Sequence, residues 1–110
     1  MTADRPDILQ GTLDLLILRI LRTGPQHGWA ISQRIQQVSD DVLLVQQGSL
    51  YPSLHRLQRR GWIASEWGAS ENNRKAKFYR LTDEGQAQLE VETERWQRLS
   101  QAVTQVLSHA

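Results

Sequence analysis

The chain has no cysteine among its 110 residues. That excludes a disulfide framework and any zinc site built on thiolates, and it fits a reducing compartment. Long apolar runs are missing too. The richest stretch, residues 13–21, is interrupted by Arg19 and falls far short of the ~20 residues a bilayer span requires. Asp4 and Asp7 stand ahead of it and Asp14 at its start, with neither a basic leader nor a small-residue cleavage site, so no secretory signal is expected. A cytoplasmic protein with no membrane partner follows. The three histidines, His27, His55 and His109, lie far apart without carboxylates at helical spacing, so no metal site is expected. No Ser-His-Asp spacing, Gly-rich phosphate loop or isolated carboxylate pair is present either, so neither an enzyme nor a cofactor is expected.

What is present suits one small soluble domain: 39% apolar and 23% charged residues. The net charge of +1 conceals an uneven distribution. Residues 47–80 hold seven Lys/Arg against two Glu, a local +5, while residues 1–46 sum to −1 and residues 81–110 to −3. A polyanion would meet the middle segment first.

Periodicity places four helices and a hairpin. A first helix runs from about Leu9 to Arg22 and stops at Thr23-Gly24-Pro25. Leu13, Leu15, Leu16, Ile17, Leu18, Ile20 and Leu21 make it apolar on more than one side, which calls for extra cover, here expected from a second chain. A second helix, about His27 to Ser39, puts Ile31, Ile35 and Val38 on one face, and residues 42–45 read as a short strand. The third helix opens at Gly48-Ser49, with Ser49 as N-cap and Pro52 in the first turn. Leu50, Leu54 and Leu57 point inward, Ser49, Ser53, Arg56, Arg59 and Arg60 outward, and Gly61 ends it. Two strands follow, separated by a long polar tip over residues 68–74, with Gly68 as a turn residue. Thr82 caps a last helix that continues to about Leu107, with Asp83 and Glu84 favourable in its first turn and Gly85 at its start. Leu89, Trp96 and Val103 recur every seven residues, as do Glu92, Leu99 and Val106. Apart from Glu92 this is a coiled-coil seam too long for one small domain to cover.

The fold class is therefore mainly α with a small β-hairpin: a winged helix-turn-helix over residues 1–81, then a long dimerisation helix over residues 82–110. A helix fits the major groove, and a hairpin tip beside it reaches phosphates or the minor groove. Ser49, Tyr51 and Ser53 supply hydroxyls at the helix start. Gln47 and Arg56 are long enough to reach base edges, and Asn73, Arg74, Lys75 and Lys77 stand at or beside the tip. The four tryptophans are expected in core and interface packing, with Trp96 set apart because it sits mid-seam.

The run Gly48-Ser49-Leu50-Tyr51-Pro52-Ser53-Leu54-His55-Arg56-Leu57, then Gly61-Trp62-Ile63, then residues 70–82, resembles the PadR family of bacterial transcriptional regulators. Gly11-Thr12-Leu13-Asp14-Leu15-Leu16-Ile17-Leu18 and Gly24-Pro25-Gln26-His27-Gly28 resemble it as well, so the likeness covers roughly residues 8–107. Trp29 stands where the family has Tyr, and the single terminal helix is similar to its short subgroup. The resemblance implies a homodimeric repressor that joins through its last helix. The expected partners are double-stranded DNA, a second copy, and a small-molecule effector of unspecified identity with Trp96 at its pocket. The expected dimer interface comprises Leu13, Leu16, Ile17, Leu89, Trp96, Leu99, Val103 and Val106. Two rivals share parts of the pattern. A MarR-like regulator has the same Leu-Thr-x-x-Gly entry to its last helix, and a winged helix can serve as a protein-interaction module. The Ser-Leu-Tyr-Pro helix start argues against the first and the local +5 against the second.

Overall fold

A computed structural model describes residues 10–110. The order is α1 (Gln10–Leu21), β1 (Gln26–His27), α2 (Gly28–Val38), α3 (Gln47–Arg59), β2 (Ile63–Ala69), β3 (Lys75–Leu81) and α4 (Asp83–His109). The expected start of the first helix at Leu9 lies outside the described residues. The three strands form one antiparallel sheet in the order β1-β3-β2, so the protein is mainly helical with a small sheet. β1 is only two residues long, pairing Gln26 with Tyr79 and His27 with Phe78, and has no counterpart in the sequence reading. Conversely, residues 42–45 form no strand. Leu43 and Val45 instead pack on the core from a loop.

α1 is the centre of the molecule, packed by α2, α3, α4 and β3. Leu13, Ile17, Leu18 and Leu21 are buried there with Ile31, Ile35, Leu50, Leu54, Leu57, Ile63, Tyr79 and Leu89, and Leu15, Leu16 and Ile20 lean on the cluster from its rim. This corrects the expected dimer interface. Leu13, Ile17 and Leu89 are consumed by the chain's own core, and Leu16 is already half-buried against it. The cover that α1 needs comes from its own chain.

α3 begins at Gln47, two residues before the expected cap. Its N-cap is Gln46, which makes no side-chain cap bond, so Ser49 is an exposed helical residue rather than the cap. Pro52 accordingly falls in the second turn, where its missing N–H leaves the Gly48 carbonyl without its helical donor. Gly48 is exposed, so its carbonyl is open to solvent. At the far end the chain reverses through Gly61 at φ 80°, a left-handed conformation that favours glycine.

α2 is capped by His27, whose Nδ1 accepts the Ala30 N–H at 3.2 Å, and α4 by Thr82, whose hydroxyl accepts the Gly85 N–H at 3.0 Å. Thr82 also donates its hydroxyl to the Gly61 carbonyl at 2.7 Å and its N–H to the Trp62 carbonyl at 3.1 Å. Gly85 packs against that Trp62 carbonyl, and a Cβ there would sit 1.9 Å from its oxygen. A glycine is therefore required by contact, which is more than its placement at a helix start suggested. Beyond Leu89, α4 buries nothing. Trp96, Leu99, Val103, Val106 and Leu107 are all exposed, Trp96 by 45% and Leu107 by 80%.

Candidate nucleic-acid interface

The hairpin register decides which side chains share a face. Trp67 lies opposite Lys77, Ser65 opposite Tyr79 and Ala69 opposite Lys75. Directly paired residues project to the same side, so Trp67, Lys75, Lys77 and Tyr79 form the inner face of the hairpin. Gly68 and Phe78 belong to the other, where Phe78 lies close to Gly68 and meets the His27 ring edge-on at 5.5 Å. Gly68 is thus a strand residue that admits a neighbouring ring, and not part of the turn. The tip is also shorter than expected, residues 70–74. Ser70 accepts from the Asn73 N–H and donates to the Arg74 carbonyl, each at 2.8 Å, with Asn73 left-handed at φ 59°. This is the compact hairpin turn in which one αL residue follows a β-turn.

Between that inner face, α3 and the start of α2 opens a cleft of about 710 Å³. Tyr51 and His55 of α3 line one side, Trp67, Lys75, Lys77 and Tyr79 of the sheet the other, with Arg74 at the tip and Trp29 and His27 at the base. Tyr51 covers Gly28 so closely that a Cβ there would meet its hydroxyl at 2.9 Å. Burial pushes the Tyr79 phenol above the ordinary tyrosine value, and the nearby Tyr51 adds to the shift because two phenolates would repel. Tyr79 therefore stays a neutral hydroxyl at physiological pH. The Lys75 ammonium stands 5.4 Å from the Trp67 ring centre and the Lys77 ammonium 6.0 Å from that of Tyr79.

The structure brings together Tyr51, Arg74, Lys75 and Lys77 among the expected DNA-contacting residues. Gln47, Ser49 and Asn73 are exposed, the first two at the start of α3 and the third at the hairpin tip. Two other expectations fail. Ser53 is 1% exposed, because it occupies the i+3 place of the stripe formed by Leu50, Leu54 and Leu57. Arg56 turns inward as well. Its Nη2 donates to Asp14 Oδ1 at 2.9 Å and to Ser53 Oγ at 2.8 Å, with the Arg56 and Asp14 side chains only 21% and 12% exposed. Asp14 falls within the buried stripe of α1, and a carboxylate there needs a cation. The buried Arg56 Nε has no hydrogen-bond partner. These side chains tie α3 to α1 and are not presented on the outer surface.

Of the four tryptophans, Trp62 packs against the core from its rim. Trp29, Trp67 and Trp96 are exposed and none of the four belongs to the buried core. His27, Trp29, Trp67 and Tyr79 were not among the expected site residues. Alternation along residues 67, 75, 77 and 79 would have singled out the last two of these once the hairpin register was known. Among the described residues no group of three or more His, Asp or Glu side chains could hold a metal ion, and no helix is long and apolar enough to cross a membrane.

The family model for the transcriptional regulator PadR-like family matches residues 17–91. Among solved structures, a PadR family transcriptional regulator from Eggerthella lenta is similar at 33% identity, covering 92% of this chain and 86% of that one, with a TM-score of 0.76. A PadR-like transcriptional regulator from Bacillus cereus is similar at 30% identity, covering 93% and 97%, also with a TM-score of 0.76. A transcriptional regulator from Clostridium thermocellum reaches a TM-score of 0.80 at 28% identity, covering 87% and 93%. The sheet flanking α3 is thus the wing of a winged helix, and the chain belongs to the PadR-like family of transcriptional regulators.

Proposed function

We propose that this transcriptional regulator is a cytoplasmic homodimer that represses its target genes by binding a pseudo-palindromic operator in double-stranded DNA. The observation that carries the reading is the shared cleft, in which the exposed side of α3 and the inner face of the wing turn rings and cations toward the same space. α3 enters the major groove, with Gln47, Ser49 and Tyr51 along its exposed first half, while Asn73, Arg74, Lys75 and Lys77 reach phosphates or the minor groove. The pairing of Arg56 with Asp14 assigns it to holding α3 in place.

The winged part, through residue 81, reads DNA, and α4 pairs two copies through Trp96, Leu99, Val103 and Val106. A two-fold axis then places two copies of α3 in successive major grooves roughly 34–36 Å apart. Where the two terminal helices meet, Trp96 is placed to line a pocket for a small-molecule effector.

A salt titration tests the reading. Each phosphate neutralised contributes about 0.9 to the slope of log affinity against log salt. Arg74→Ala and Lys77→Ala should each weaken binding to specific and random duplexes alike and flatten that slope. Unchanged slopes in both variants would remove the wing from the interface.

A further inference from the structure

Trp67 is a surface side chain that the duplex-binding reading leaves without a task. It is 61% exposed, on the same face of the wing as Lys75 and Lys77. An indole so placed contributes little to burial, yet it sits among the charges expected to meet a polyanion. The Lys75 ammonium lies over its ring at 5.4 Å, within the range at which a cation is attracted to the negative face of an aromatic system. A lysine carries its charge on a flexible four-carbon stem, and gripping a phosphate must freeze that stem. A ring beneath the ammonium removes part of this freedom before the polyanion arrives.

We propose that Trp67 is a positioning residue, whose indole face holds the Lys75 ammonium on the inner side of the wing, aimed into the cleft beside α3. The inference rests on the duplex-binding reading above. Tyr79 plays the same part for Lys77 at longer range, 6.0 Å, from a buried ring that cannot move. Among side chains Trp offers the best face for a cation, Phe a weaker one and Leu none. A Trp67 that stacked on DNA directly would also favour binding, but it would do so whether or not a lysine stood at position 75.

The experiment is a double-mutant cycle, read by fluorescence anisotropy of a labelled random-sequence duplex across a salt series. It compares wild type, Trp67→Leu, Trp67→Phe, Lys75→Ala and the Leu/Ala double variant. Trp67→Leu should weaken binding about two- to five-fold, the strength of an exposed cation–ring contact, and Trp67→Phe should recover part of the loss. In the Lys75→Ala background the Leu substitution should change nothing. The salt slope should stay at the wild-type value in Trp67→Leu, because the same phosphates are neutralised, and fall by about 0.9 in Lys75→Ala. In the free protein the ring current should also shift the Lys75 ε-methylene resonances upfield, an effect lost in Trp67→Leu. Additive losses, a reduced slope in Trp67→Leu or unshifted Lys75 resonances overturn the inference and leave duplex binding standing. A wild-type chain that binds no duplex at low salt overturns both.

Discussion

The first helix and the second half of the last are both richer in apolar residues than a lone surface helix requires. In α1 that excess is used within the chain, where four side chains lie in the core and three more on its rim. In α4 it is left over: after Leu89, six large apolar residues face solvent along a helix whose main neighbour is α1. Similar composition thus marks two different situations, an element packed by several others of its own fold and one that extends beyond it. Along the second of these the seven-residue spacing of Trp96 and Val103 is the spacing found where one helix is partnered by another. Polar pairs on the same stretch, Arg95 with Glu92 at 3.3 Å and Arg98 with Glu94 at 3.1 Å, contribute only a few tenths of a kcal/mol each.

Five variants probe that contrast. The largest effect is expected from Trp96→Asp combined with Leu99→Asp. Placing two charges in the seam should raise the dimer dissociation constant roughly a hundredfold or more, taking ~3–5 kcal/mol as the loss of a buried Trp. Sedimentation equilibrium measures it, and a wild-type chain that is monomeric at micromolar concentration would refute the partnered-helix half of the comparison. Ile17→Ala should act oppositely, costing about 2–5 kcal/mol of unfolding free energy in urea while the surviving folded chains associate as before. Asp14→Ala should cost about 1.5–3 kcal/mol, because it strands the Arg56 guanidinium in a largely closed site. Replacing Asp14 and Arg56 together with apolar residues should recover most of that loss. Thr82→Ala removes the α4 cap and should cost ~1 kcal/mol, read as a lower urea midpoint with an unchanged m-value.

The helices and the wing were legible in the sequence because each is written in local terms. Leu50, Leu54 and Leu57 mark a stripe, Thr82 a cap and Gly61 a reversal, and all three readings agree with the observed structure. The failures concern partners distant along the chain. β1 has two residues and no pattern of its own, and it exists because Tyr79 and Phe78 offer a free edge some fifty positions later. Arg56 looked like a surface residue until Asp14, 42 positions away, was brought beside it. Ser53 was different: its place in the leucine stripe was visible, and its polarity was given more weight than its spacing. The same bias toward residue type over position hid Trp67, whose neighbours are set by a hairpin register that composition does not encode.

The close approach of Gly85 to the Trp62 carbonyl has a mechanical consequence. That carbonyl also receives the Thr82 N–H, so the last helix and the first residues of the wing are joined at one short, unyielding point. α4 spans Asp83–His109, and the part beyond Gly85 runs about 36 Å at 1.5 Å per residue, with no further glycine and no proline. It is a lever anchored at the base of the wing. A tilt of about 10° at that end carries the far end roughly 6 Å over such a length. In the proposed dimer, a displacement of several ångströms among the terminal helices would correspond to a rotation of a few degrees where α4 leaves the wing, next to the packing of Leu89 on the core.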